Sequence, residues 1–268
     1  MNDKATFSAD FNVDESMVSE FARLSGDYNA MHVDPEIARK SKFRRTVVHG
    51  MIPYSFLQLL KREYPHQRLR FTDLSARFVS PVFAGDAIHL KIKHQSIDAK
   101  GEFDATWFEK GSDKVLIKSK GQFRLDELVE LAESDEDTNP ATFIQDDIEE
   151  NLYTISELAD KQASFGISIS PESVTSYCRK ILTAGLQDKS PVDDICNNLA
   201  SVLNLSTMVG MRLPGRYAIF TRFAFNFSED VVPAKKYQLE GAVSKVTVAT
   251  ESIEANVRLV SDNVAAEG

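Results

Sequence analysis

The segment Ser25–Met51, SGDYNAMHVDPEIARKSKFRRTVVHGM, sets Asp27, Asn29 and His32 close together and follows them with a His49-Gly50-Met51 triplet. A carboxylate and an imidazole five residues apart can converge on one water if the chain between them turns tightly. Tyr28-Asn29-Ala30 suits such a turn, because Asn tolerates positive φ and hydrogen-bonds its own backbone. Gly50 opens a strongly apolar stretch, permits close approach to the backbone, and stands where the first N–H groups of a helix point outward unpaired. Together these are the parts for proton transfer next to a polarised carbonyl. Asp27, Asn29, His32 and Gly50 are the candidate catalytic residues.

The elements that must position them can be read from periodicity and punctuation. Asp14 is a plausible N-cap for a helix over 15–25 that buries Val18, Phe21 and Leu24. Asp34-Pro35 caps a further helical turn reaching Ala38. Residues 50–63 predict a helix apolar on nearly every side, hence buried, with Pro53 tolerable in its first turn. Strand signals follow over 69–79, 88–97, 102–109 and 115–123, with turns at Asp98-Ala99-Lys100-Gly101 and Lys110-Gly111-Ser112-Asp113. A buried helix followed by an antiparallel meander suggests a sheet wrapped around a helix.

Residues 131–150 hold eight acidic side chains and Pro140, and predict a solvated connector. Beyond it the order of the first half recurs in diluted form. Ser170-Pro171-Glu172 starts a helix, Val174–Arg179 echoes Val18–Arg23, and 195–211 is a second apolar helix. Strands are expected over 222–227, 237–248 and 253–260. This half contains no histidine, since all five (His32, His49, His66, His89, His94) precede it. The expected organisation is a catalytic unit over 1–130, a linker over 131–150 and a degenerate repeat over 151–268.

With 43% hydrophobic and 26% charged residues the composition is that of a soluble globular protein. Residues 1–130 carry 20 basic and 19 acidic side chains, and 131–268 carry 11 and 21, so the net charge of −9 sits in the second half and argues against nucleic acid. No apolar run spans a bilayer and Met1–Asp10 has no leader pattern. Cys178 and Cys196 alone make no disulfide framework, which favours a reducing cytoplasm. His89 and His94, five apart on a strand, face opposite ways, and no metal-ligand or EF-hand spacing occurs. Arg39, Lys40, Lys42, Arg44 and Arg45 put five cations into seven positions: a solvated loop, or a seat for phosphates or an acidic protein surface.

The string Ser25-Gly26-Asp27-x-Asn29-x-x-His32-x-Asp34-Pro35-x-x-Ala38, then His49-Gly50-Met51, then Phe78-x-x-Pro81-Val82-x-x-Gly85-Asp86, resembles the signature of MaoC-like (R)-specific enoyl-thioester hydratases and dehydratases. The resemblance implies an α+β double hotdog, with two antiparallel sheets each wrapped around a central helix. It implies a hydro-lyase acting at the 2,3 double bond of an acyl thioester, with Asp27 and His32 sharing the proton work on one water. Asn29 would fix the loop or that water, and the Gly50 N–H would hold the thioester oxygen. His49 and Met51 flank that amide; with Arg44 and Arg45, which would meet coenzyme A or an acyl carrier protein, they are the candidate substrate-binding residues. No cofactor or metal is implied, and double hotdogs can pair as homodimers. A non-catalytic thioester-binding or scaffold role is the alternative, and a hotdog thioesterase has no positive support.

Overall fold

The computed structural model describes residues 4–127, 142–143, 153–192, 195–215, 218–261 and 264–268. Ten strands form one antiparallel sheet: β1 (Ala5–Asn12), β2 (Gln67–Phe78), β3 (Ala87–Ile97), β4 (Lys100–Glu109), β5 (Val115–Glu127), β6 (Gln162–Ser168), β7 (Arg222–Phe227), β8 (Lys236–Thr247), β9 (Ser252–Val260) and β10 (Val264–Glu267). Their order is β1-β3-β4-β5-β2-β7-β10-β9-β8-β6. The first five strands in sequence therefore occupy one end and the last five the other. The expected pair of sheets is instead one continuous sheet, because β2 pairs with β7 from Asp73↔Asn226 to Arg77↔Arg222. This join is a backbone ladder and leaves no side-chain signature. Of the expected linker only Thr142 and Phe143 fall among the described residues; Phe143 is buried, its N–H donating to the Leu24 carbonyl at 2.8 Å.

Helix α1 (Glu15–Ser25) has the bounds its punctuation predicts. The Asp14 carboxylate accepts from the Met17 N–H at 3.0 Å, and Gly26 ends the helix at φ 72°. Short helices α2 (Ala30–Val33) and α3 (Pro35–Lys40) follow, α3 capped by Asp34. Helix α4 (Met51–Ser55) continues as a 3₁₀ helix over Phe56–Glu63, and Met51, Ile52, Tyr54, Phe56, Leu57 and Leu60 are wholly buried. Trp107 on β4 donates its indole N–H to the Pro53 carbonyl at 2.8 Å, tying the sheet to this central helix.

The second half repeats the plan. Ser170 caps α5 (Pro171–Tyr177), which continues as a π-helix over Cys178–Thr183. Helices α6 (Asn197–Leu203) and α7 (Leu205–Thr207), continued as a π-helix to Arg212, form its buried core helix. The two central elements are stitched together. Gln58 Oε1 accepts from the Cys196 N–H at 2.9 Å, Tyr177 donates to Ser55 Oγ at 2.8 Å, and Asn198 Nδ2 donates to the Phe71 carbonyl at 2.8 Å. His89 and His94 do face opposite ways: His89 meets Asp10 at 2.7 Å near the surface, whereas His94 is buried against Tyr64. Neither Cys178 nor Cys196 forms a disulfide among the described residues, and both are buried.

Candidate active site

The loop after α1 is built to deliver a carboxylate. Gly26, rather than the Asn29 that could tolerate it, takes the left-handed conformation, and its N–H donates to the Ala22 carbonyl at 2.8 Å. Asn29 lies at φ −52° and serves as the N-cap of α2, its Oδ1 accepting from the Met31 N–H at 3.0 Å. Asp27 Oδ1 accepts from the Asn29 N–H at 3.2 Å, so carboxylate and cap brace one another. Asn29 Nδ2 is buried and has no hydrogen-bond partner among the described residues. It is a donor ready for a water or a substrate oxygen, since leaving such a group unpaired costs about 1–3 kcal/mol.

α2 then turns His32 back toward Asp27. A carboxylate oxygen of Asp27 and one ring nitrogen each of His32 and His49 lie within 4.8 Å of one another. His32 Nδ1 donates to the Val47 carbonyl at 2.6 Å, which fixes the tautomer and leaves Nε2 for proton transfer. Val47 is itself held, its N–H donating to the Met31 carbonyl at 3.2 Å. Asp27 is wholly buried, whereas His32 is half-buried and lines a cleft of about 170 Å³ with Val18, Val33, Thr46, Val48 and Ala84.

His49 belongs beneath the dyad rather than on the substrate side. It is wholly buried, its Nε2 donates to the Asp27 carbonyl at 2.9 Å and lies 3.7 Å from Asp27 Oδ2, and its ring lies against that of His32, centroids 3.9 Å apart and tilted by 30°. Burial, and next the neighbouring His32, hold its pKa well below the ordinary histidine value, so it is neutral. Asp27, His32 and His49 could in principle face a cation together. Because His49 Nε2 commits its proton to a carbonyl and His32 Nδ1 to another, the set as arranged fits proton transfer better. Met51 is likewise buried in the core.

Gly50 adopts helical φ, −58°, so its identity follows from crowding: a Cβ there would lie 2.9 Å from the Phe78 ring. The close approach expected of a substrate is made in part by Phe78, which packs with Phe220 and Phe223. No acceptor for the Gly50 N–H is found among the described residues. The turn around Gly85-Asp86 positions this amide indirectly. Gly85, at φ 92°, bonds to Val13, Asp86 accepts from the Phe83 N–H at 2.9 Å, and the Val82 carbonyl receives the Val48 N–H at 2.8 Å, directly before His49.

Residues 1–112 match the family model described as "MaoC like domain". This part of the chain is a MaoC-like domain. Over 91 residues the chain is 37% identical to the (R)-specific enoyl-CoA hydratase of Aeromonas caviae, a stretch that is 34% of this chain and 66% of that protein. It is 38% identical over 72 residues to the mitochondrial 3-hydroxyacyl-[acyl-carrier-protein] dehydratase of Arabidopsis thaliana, 26% of this chain and 42% of that one. It thus spans just under two thirds and under half the lengths of these relatives. The whole chain superimposes on a solved MaoC-like dehydratase with a TM-score of 0.66 at 11% identity, covering 97% of it. A putative MaoC domain protein dehydratase of Chloroflexus aurantiacus superimposes with 0.64 at 10% identity, covering all of this chain and 93% of that one. The fold of both halves is therefore that of the double hotdog, although the family model stops at residue 112.

Sequence reasoning missed what the second half brings to the MaoC-like site. Ser206 donates to Asp27 Oδ2 at 2.6 Å, Thr207 donates to the Ser25 carbonyl at 2.7 Å, and Gly210 abuts the Asp27 carboxylate. The only available signal was a cluster of small and polar residues inside an otherwise apolar helix. None of the five basic residues of the 39–45 segment lines the cleft, and several are occupied. Arg39 pairs with Glu36, Lys42 lies over Phe43, and the Arg45 guanidinium lies 3.5 Å above the Phe83 ring. Arg44 is exposed at φ 57°. Among the described residues no helix is long and apolar enough to cross a membrane.

Proposed function

We propose that this protein is a hydro-lyase that adds water to, or removes it from, the 2,3 double bond of an acyl thioester, with an (R)-3-hydroxyacyl thioester on the hydrated side. The observation that carries the reading is the convergence of the Asp27 carboxylate and the His32 ring within 4.8 Å, with the His32 tautomer fixed by Val47. A water held between the two groups loses a proton to the dyad as its oxygen bonds to C3. A proton from the dyad goes to C2, so that water adds across the bond with no net proton change. The Gly50 N–H faces the thioester oxygen as enolate-like charge develops, and Asn29 Nδ2 steadies the water or the substrate. The thioester itself acidifies the α-proton, so the reaction requires no metal or organic cofactor.

The named relatives act on coenzyme A or carrier-protein thioesters, and this chain is proposed to share that substrate class, with Arg44 and its neighbours meeting the phosphate-bearing end. Residues 1–130 are read as the catalytic unit and 151–268 as its covering partner, joined by an acidic linker. Each chain then holds one site, because the second half has no histidine. Pairing of two such chains and a cytoplasmic setting complete the reading.

The test is incubation with a short trans-2-enoyl-CoA while following both the conjugated chromophore and free thiol. Chromophore loss without thiol supports the hydro-lyase. Thiol release would make it a thioesterase, and tight binding with neither signal would make it a binder or scaffold.

A further inference from the structure

The Asp27 carboxylate is buried, and one wall of its enclosure comes from the half that contains no histidine. Ser206 in α7 donates its hydroxyl to Asp27 Oδ2 at 2.6 Å, a short charge-assisted contact in which Asp27 is 0% and Ser206 7% exposed. The neighbouring Thr207 hydroxyl donates to the Ser25 carbonyl at 2.7 Å, fixing α7 against the loop that carries the carboxylate. One turn on, Gly210 stands so close that a Cβ would lie 2.5 Å from Asp27 Oδ1. Ser206 and Gly210, four residues apart, thus meet a single carboxylate from one side of the helix, while Thr207 holds the loop that carries it.

We propose that Ser206 is a positioning residue for Asp27, and that the second half exists in the reaction chiefly to supply this hydroxyl. The inference rests on the hydro-lyase reading for its kinetic consequence, though its structural content stands on the contact alone. The carboxylate plane is held from two sides, at Oδ2 by Ser206 and at Oδ1 by the Asn29 N–H, within 4.8 Å of a His32 ring nitrogen. A hydrogen bond donated to a carboxylate favours its ionised form, so Ser206 also holds Asp27 ready to accept a proton. The titratable groups facing Asp27 among the described residues are His32 and His49, and His49 is kept neutral by burial. Ser206 is therefore a donor to this carboxylate that does not itself titrate.

The experiment uses the full-length chain labelled with [4-¹³C]aspartate, the Asp27 carboxyl resonance being assigned by its loss in Asp27→Asn. Ser206→Ala is expected to raise the titration midpoint of that resonance by about one pH unit, with Ser206→Thr restoring it and Ser206→Cys, a weaker donor, falling between. In the same variants kcat for enoyl-CoA hydration should fall roughly tenfold to a hundredfold in Ser206→Ala with KM little changed, and recover in Ser206→Thr. An unmoved carboxyl midpoint in both Ser206→Ala and Ser206→Cys overturns the proposal. So does wild-type kcat in either, if the wild-type protein is a hydratase. A wild-type protein that turns over no enoyl thioester defeats the functional reading alone, because the carboxyl titration still decides the role of Ser206.

Discussion

Replacing Gly210 by Ala puts one methyl group from the second half against the Asp27 carboxylate of the first. Its Cβ would sit 2.5 Å from Asp27 Oδ1 and 3.1 Å from both Cγ and Oδ2, about 0.9 Å inside the 3.4 Å at which ordinary contact begins. In a helix, Gly→Ala would otherwise gain up to about 1 kcal/mol. Here the neighbour cannot swing away, since Asp27 is short and held at both oxygens by Ser206 and the Asn29 N–H. Overpacking of this kind costs about 1–3 kcal/mol, so net destabilisation of roughly 0–2 kcal/mol is expected. The larger effect is kinetic: moving the carboxylate by several tenths of an ångström, where a displacement near 1 Å costs about 10²-fold, should lower kcat by roughly 10–10². Gly185→Ala is the control. Its Cβ would strike Phe56 at 2.6 Å and the Asn12 carbonyl at 3.0 Å, so it should destabilise the fold while leaving kcat per folded molecule unchanged. Urea melts and initial rates on the same enoyl-CoA read both quantities. A Gly210→Ala enzyme with wild-type kcat would refute the claim that the second half sets the geometry of Asp27.

Other expectations follow from the same geometry. Asp27→Asn and His32→Ala should each lower turnover by roughly 10²–10⁴, and the double variant by far less than the product, because the pair acts as a unit; near-wild-type rates in either folded single variant would end the assignment. Arg44→Gln should raise KM for coenzyme A thioesters and weaken its salt dependence, while a pantetheine thioester should barely respond; Arg45→Gln is the less clean variant, because Arg45 also packs on Phe83. His49 is held neutral in the fold, with a pKa well below the value near 6.5 it has unfolded. The stability this represents is complete above about pH 6.5 and is lost as pH falls toward the folded value, by about 1.4 kcal/mol per pH unit. Urea melts between pH 7 and 5 should show that slope, and His49→Gln should flatten it. Residues 1–130 expressed alone should be poorly soluble or inactive, having lost both the β7 partner of β2 and the Ser206 contact.

What the sequence makes legible divides along physical lines. α1 could be bounded to the residue because Asp14 and Gly26 are both local capping signals. The buried helix at 51–63 was legible because it is apolar all round, and the meander because its turns carry Asp98-Ala99 and Gly111 at positive φ. β1, β6 and β10 escaped notice, since short or edge strands bury few residues and alternate weakly. Asp27 and His32 were legible as a motif, but the cause of their convergence was misplaced: Gly26 makes the turn and Asn29 caps the next helix. His49, beside Gly50, reads from the sequence as a positioning or substrate-binding residue, and packing shows its Nε2 donating to the Asp27 carbonyl. Ser206 lies 179 residues from the carboxylate it touches, and a serine in an apolar helix carries no local sign of such a partner.

The β2–β7 seam has a further consequence. In an assembly of two identical hotdog chains every substitution is made twice, at both symmetry-related places, so a surface cannot be adapted to its neighbour without altering its own image. Here the seam closes inside one chain, between residues 73–77 and 222–226, which never need be alike. The two halves meet at fixed stoichiometry and at an effective concentration independent of how much protein is present. One half is thus free to specialise as the mould for the other: it can discard imidazoles and install a serine, a threonine and a glycine around a single carboxylate. The asymmetry of the site is in this sense a property of the covalent connection, and a form of division of labour that a symmetric dimer cannot reach.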